Sequence, residues 1–225
     1  MTVTISCWQS PSNSLALADW QVHLWRFRLD HLAGCLKPSE IILSVDERKR
    51  AERLLIAEKR QQFVASRIYL RNILSRYLTL APEEIVFSYG ESGKPSIESG
   101  SNGFHFNLAH SGRLGVLAVS KSAEVGVDIE KIDHNLGYLS LSCRYFNDNE
   151  KKLLNTSPIH RRRRVFYRLW TQKESWLKQL GTGFSEPNKG ELNSILTRNF
   201  PVAKNYLAAL SCSEKPNSIL RFQTF

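Results

Sequence analysis

The amino-acid sequence predicts an α+β fold, on three observations. Apolar and polar residues alternate near the N-terminus, in the middle of the chain and towards its end, the two-residue period of half-buried strands. Between Ser44 and Pro82 there is neither glycine nor proline, and apolar residues recur at helical spacing. A second helical segment, Asn147 to Gly181, carries start and stop signals of its own. With 225 residues, 42% of them hydrophobic, the chain can bury a core, which excludes disordered and fibrous classes.

Taken in order, Val3 and Ile5 mark a first strand, and Trp20, Val22 and Leu24 with Phe27 and Leu29 a second, separated by a Ser/Pro/Asn stretch around Pro11. Ser44 and Glu47 have the spacing of a capping box and open the long helical region. Its apolar residues (Ala51, Leu54, Leu55, Ile68, Ile73, Leu74, Tyr77, Leu78) predict two helices, broken at the polar stretch Glu58 to Gln62. Arg48, Arg50, Arg53, Arg60, Arg67 and Arg71 stud it, as a solvated face does and an anion site also would. Ile85 to Phe87 reads as a strand, Gly90 to Pro95 as a turn and Ser99 to Gly103 as a loop. Leu114–Val119 and Val125–Ile129 read as successive strands, and the polar connection between them, residues 120–125, suits a boundary between half-domains. Asn147 to Glu150 begins another helix, Ser157-Pro158 opens a further one ending near Gly181, and the tail from Leu207 is strand-rich.

Thirty-one Lys and Arg against 21 Asp and Glu give a net charge of +10, which favours anionic partners without naming one. Cys7, Cys35, Cys143 and Cys212 are scattered and ungrouped with histidine, which argues against zinc sites and a disulfide scaffold. The first residues lack a basic, then apolar leader, and no stretch approaches the ~18 apolar residues of a membrane span, so a soluble cytoplasmic protein is expected.

Three constellations bear on chemistry. In Gly126-Val127-Asp128-Ile129-Glu130 the two carboxylates sit two apart in a strand and share a face, with the aliphatics on the other. Such a pair suits a hard cation such as Mg²⁺; alone, it is equally the alternation of an exposed strand edge. In the 158–180 helix Trp170, Glu174 and Lys178 form one stripe, with Val165, Leu169, Leu177 and Leu180 as core anchors. Glu174 would add a third oxygen ligand and Lys178 a phosphate contact, although an i,i+4 surface pair has the same spacing. In Phe106 to Gly112 a strand runs into a glycine turn with His110 at its tip, able to offer an imidazole to an anion or simply to serve the fold. The G-x-S-x-G elbow and the P-loop spacing around Lys94 are both absent.

Together, GKP at 93–95, FNLAHS at 106–111, GVDIE at 126–130 and WTQKESWLK at 170–178 resemble, in order and separation, the surfactin-type (Sfp-type) 4′-phosphopantetheinyl transferases. With the arginine-rich helices before them, the resemblance covers most of residues 44–185. The chain departs from the family where a serine usually precedes the histidine and Ala109 stands instead.

The resemblance implies a pseudo-dimer of two similar α/β half-domains, 1–122 binding coenzyme A and 123–225 carrying the metal-binding carboxylates and carrier-protein contacts, with the active site between them. It implies transfer of phosphopantetheine from coenzyme A to a serine of an apo acyl or peptidyl carrier protein, with release of adenosine 3′,5′-bisphosphate. By the same resemblance Mg²⁺ falls to Asp128, Glu130 and Glu174. Glu174 would activate the serine hydroxyl, directly or through a metal-bound water, with Glu150 a weaker alternative, and Lys178 would hold a pyrophosphate oxygen. Lys94 and His110 would meet the cofactor's phosphates, His110 the 3′-phosphate. Asn107 and Ala109 would line the nucleotide pocket, and Arg48, Arg50 and Arg60 would add phosphate contacts. Arg161 to Arg164 would steer an acidic carrier or form a solvated face. A monomer is expected, without membrane or nucleic-acid partners. A basic nucleic-acid-binding protein stacking bases on Trp8, Trp20 or Trp25 is the rival class, but no module pattern supports it and it leaves the three carboxylates unexplained.

Overall fold

The computed structural model describes residues 3–12, 15–32, 41–90, 93–98, 103–182 and 196–224. Two sheets and five helices form the described fold. The larger sheet has the order β1 (Thr4–Gln9), β10 (Ser218–Thr224), β2 (Gln21–Arg28), β6 (Leu114–Ser120), β5 (His105–Ser111). The smaller has the order β7 (Val125–Lys131), β9 (Tyr206–Cys212), β8 (Thr197–Phe200), antiparallel throughout. A separate hairpin joins β3 (Phe87–Tyr89) to β4 (Pro95–Ile97). The helices are α1 (Val45–Glu52), α2 (Ala57–Ser75), α3 (Tyr138–Tyr145), α4 (Asp148–Thr156) and α5 (Ile159–Leu180).

The period-two pattern explains how the layers stack. On β2, Trp25 and Phe27 join the core with Leu70 and Leu74 of α2, while Val22 and Leu24 point to the opposite face. β6 repeats this with Leu117 and Val119 on one side, Val116 and Ala118 on the other. The second face of the large sheet therefore packs on Val125, Val127 and Ile129 of β7 and Ala208 and Leu210 of β9. This shared core joins the halves, with α2 on the outside of one sheet and α5 across the other. Each side chain fully buried there contributes about 1.5–3 kcal/mol relative to exposure. The strand β10 runs parallel to both β1 and β2, so the end of the C-terminal segment completes the sheet begun by the N-terminal one. Among the described residues no helix is long and apolar enough to cross a membrane.

Local signals act largely as the sequence predicts. Ser44 and Glu47 make a reciprocal capping box on α1, Asn147 and Glu150 another on α4, and α5 ends at Gly181 in the left-handed conformation. The break between the first two helices lies elsewhere. It falls at Arg53 to Ile56, and Glu58 to Gln62 lie inside α2. The Arg60 guanidinium donates to Leu54 O from Nε and Nη2 at 3.2 and 3.0 Å, closing the carbonyl left open at the break. Ser157 is no helix-opening cap: its hydroxyl donates to Leu153 O and closes α4, while Pro158 begins α5. Leu180, expected in the core, is exposed. Cys7, Cys143 and Cys212 are free thiols; Cys35 and the loop residues Ser99 to Asn102 lie outside the described residues.

Candidate active site

The site forms where α5 crosses β7. Gly126, Asp128 and Glu130 share the face of β7 turned towards α5, because Val125, Val127 and Ile129 fill the core between the sheets. The approach is close at Gly126. A Cβ there would overlap the carbonyl oxygen of Ser175 and the amide of Gln179, and lie 2.8 Å from Gln179 Cα. Only glycine lets the helix settle at this depth. A buried hydroxyl chain pins it, Ser175 Oγ to Ser211 Oγ at 2.9 Å and Ser211 Oγ to Thr197 Oγ1 at 2.7 Å.

At that depth Lys178 Nζ donates to Asp128 Oδ1 at 2.5 Å. Asp128 is 3% exposed, and its Oδ2 has no protein partner. Burial raises the Asp128 carboxyl, and the Lys178 ammonium opposes the rise. Burial and then repulsion from Asp128 raise Glu130. Burial pushes Glu174 up to about 7 against the Lys178 ammonium, and repulsion from Asp128 and Glu130 adds to the rise. Burial works against the Lys178 charge, but Asp128, Glu174 and Glu130 hold its pKa above the ordinary lysine value. One ammonium thus faces three mutually repelling carboxylates, one of which keeps an orphaned buried oxygen.

That deficit is the demand a hard divalent cation meets. Among the described residues no three His, Cys, Asp or Glu side chains stand gathered as a ready cage. The donor set still fits Mg²⁺, which takes one or two carboxylates and completes its shell with water and phosphate oxygens.

At the end of β5, His110 is exposed, and its imidazole is held below the ordinary value by desolvation and then by the ammonium groups of Lys59 and Lys178. Lys59 is the residue the sequence reading misses; it acts on Glu130 as well. Its one signal is helical phase, since Gln62, three residues on, donates to Gly112 O in the β5–β6 turn. A cavity of about 760 Å³ opens beside Glu130, with Ser111, Leu141, Phe166 and Trp170 also in its wall.

Other expected residues have different occupations. Asn107 Oδ1 accepts from Val127 N at 2.9 Å, so its amide oxygen stitches β5 to β7. Ala109 is buried in the core between the sheets, which leaves its backbone alone for a ligand. Lys94 donates to Gln179 O at 2.9 Å and Glu124 Oε2 at 3.3 Å, placing its ammonium at the C-terminal end of α5 and beside a carboxylate. It borders a second cavity, of about 270 Å³, with Gly90, Pro95, Phe104 and Gly181. Glu150 caps α4 and pairs with the buried Lys173 at 2.9 Å, a structural duty. Arg48 donates to Leu43 O, Arg50 lies over the Phe63 ring and Arg60 closes the helix break. Arg67 and Arg71 are no solvated face: both pair with the buried Glu47. In the basic run, Arg162 binds the carbonyls of Ser157 and Asn155 and Arg163 those of Asp133 and Leu136, while Arg161 and Arg164 are exposed.

Comparison with known proteins places this chain in a family. Residues 124–222 match the model of the 4′-phosphopantetheinyl transferase superfamily, and residues 36–122 match that of the 4′-phosphopantetheinyl transferase N-terminal region. The 4′-phosphopantetheinyl transferase HetI of Nostoc sp. is 36% identical over 184 residues, 81% of this chain and 77% of that protein. This chain belongs to the 4′-phosphopantetheinyl transferase superfamily. A putative 4′-phosphopantetheinyl transferase of Synechocystis sp. is 35% identical over 70% of this chain and 63% of its own length. The 4′-phosphopantetheinyl transferase Sfp of Bacillus subtilis is 33% identical over 64% and 63%.

Proposed function

We propose that this transferase moves 4′-phosphopantetheine from coenzyme A to a serine hydroxyl of an apo carrier protein and releases adenosine 3′,5′-bisphosphate. The observation that carries the reading is the pair of Lys178 with the buried Asp128, with Glu130 and Glu174 within electrostatic reach of it and the second Asp128 oxygen unpartnered. Asp128, Glu130 and Glu174 would hold Mg²⁺, which when bound neutralises the pyrophosphate and stabilises the leaving phosphate.

The chain's own residues do the rest. Lys178, kept charged by its carboxylate neighbours, offers its ammonium to a pyrophosphate oxygen, where charge grows as the bond to the leaving group breaks. Glu174, beside Lys178 and Asp128, would accept the serine proton, directly or through a water. Lys59 supplies positive charge to the cofactor's phosphates, and His110 offers them a ring N–H as a donor. The cavity beside Glu130, walled by Phe166, Trp170 and Leu141, suits the pantetheine arm, which is partly apolar. Exposed Arg161 and Arg164 and the net charge of +10 favour an acidic carrier surface.

The test is intact-protein mass spectrometry of an apo carrier protein incubated with the transferase, coenzyme A and Mg²⁺. A gain of about 340 Da, dependent on all three, is expected from phosphoryl transfer of the pantetheine arm. No gain across fatty-acid, polyketide and peptide carriers would overturn the assignment.

A further inference from the structure

The three carboxylates are held by different means, and one of them is held from the opposite half of the molecule. Glu130, near the end of β7, is half-buried, and its Oε2 accepts a hydrogen bond from Ser111 Oγ at 2.8 Å. Ser111 is the last residue of β5, a strand of the large sheet, whereas β7 belongs to the small one. The same hydroxyl accepts from Lys131 N at 3.1 Å. A serine hydroxyl has a single proton. With the backbone amide donating into a lone pair of Oγ, that proton is directed to Glu130.

Ser111 is itself immobilised. The turn it enters is gripped from two directions, by Gln62 Nε2 of α2 donating to Gly112 O at 3.1 Å and by the Tyr206 hydroxyl of β9 accepting from Arg113 N at 3.3 Å. A side chain anchored this way sets the rotamer of what it binds. Outer hydrogen bonds of this kind orient metal-binding carboxylates and commonly change metal affinity by roughly 10–100-fold.

We propose that Ser111 is a positioning residue, whose hydroxyl locks the Glu130 carboxylate, across the junction of the two sheets, in the orientation that presents it to the divalent cation. The proposal rests on the carboxylate site of the preceding section. Ser111 touches no reacting atom in this scheme and acts only through Glu130.

The experiment measures Mn²⁺ binding to the transferase by electron paramagnetic resonance, with saturating coenzyme A and no carrier protein, so that no turnover occurs. Ser111→Ala should weaken Mn²⁺ binding roughly ten-fold or more, and Ser111→Thr, which keeps the hydroxyl, should restore most of it. In a Glu130→Ala background Ser111→Ala should have no further effect, because both changes remove the same interaction. Asp128→Asn reports on the site itself. Unchanged affinity in Ser111→Ala, with Asp128→Asn weakened, overturns the role of Ser111 and leaves the carboxylate site standing. A further loss from Ser111→Ala in the Glu130→Ala background shows a general structural role and overturns the proposal as well. Failure of the wild-type protein to bind Mn²⁺, or indifference to Asp128→Asn, overturns the site and the proposal together.

Discussion

Gly126→Ala isolates the geometry on which the site depends, without touching a charged group. The added methyl overlaps Ser175 O and Gln179 N and sits 2.8 Å from Gln179 Cα, all on α5. These are backbone atoms of a helix pinned by Ser175, so no side chain can swing aside. To regain ordinary contact α5 must retreat from β7 by on the order of 1 Å. The Lys178–Asp128 contact, 2.5 Å in the native site, then opens past hydrogen-bonding range, and Glu174 withdraws with it. Overpacking of this kind costs about 1–3 kcal/mol of stability, and each kcal/mol lowers Tm by roughly 2–4 °C in a chain of this size. A misplacement of about 1 Å in a reacting geometry costs on the order of 100-fold in rate. Carrier mass gain under saturating coenzyme A measures the rate, and a melt followed by circular dichroism confirms that the variant is folded at the assay temperature. The loss should fall on kcat. A folded Gly126→Ala variant turning over at the wild-type rate would refute the argument that the depth of α5 sets the site.

Asp128→Ala and Glu174→Ala should each lower turnover by orders of magnitude while the protein stays folded, with Glu130→Ala milder because water can replace its oxygen; steady-state rates across a Mg²⁺ series check this. His110→Ala should raise the KM for coenzyme A roughly ten-fold, the loss of one charge-assisted hydrogen bond, yet barely change that for 3′-dephospho-coenzyme A; equal weakening of both would make His110 a structural residue. Burial lowers His23 to about 4 between Tyr77 and Gln21, so the folded protein binds fewer protons there than the unfolded chain. Its contribution is complete above pH 6.5 and falls away towards pH 4, by on the order of 3 kcal/mol, and His23→Gln should flatten that limb of a denaturant-measured stability profile.

How legible each part was follows from the range of the force that decides it. The capping boxes at Ser44 and Asn147 and the end of α5 at Gly181 depend on atoms three or four residues apart, and their residue types announce them. The arginines mark the opposite case. Arg67, buried against Glu47, and Arg60, exposed at a helix break, look alike in the sequence, because a guanidinium's partner is chosen by whichever acceptor the fold brings near. Asn107 and Lys94 were readable as motif residues, but their stitching of β5 to β7 and of the hairpin to α5 joins segments 20 and 85 positions apart.

What the sequence determined by itself is local and periodic: the helix caps, that Asp128 and Glu130 share a face, and that Trp170, Glu174 and Lys178 share a stripe, whereas the helix Tyr138–Tyr145 and the strand Thr197–Phe200 carry no signal that the reading used. The shared face and the stripe follow from the strand's period of two and the helix's period of 3.6, which need no partner. Tertiary structure alone decided that β10 returns between β1 and β2, that Lys178 pairs with Asp128, that Lys59 lies within electrostatic reach of His110, and that Ser111 holds Glu130. Each is a contact between elements distant in the chain, set by how two sheets and two long helices bury their apolar faces together. Packing chooses those neighbours first, and the charges then take up the pKa values that the shared burial imposes on them.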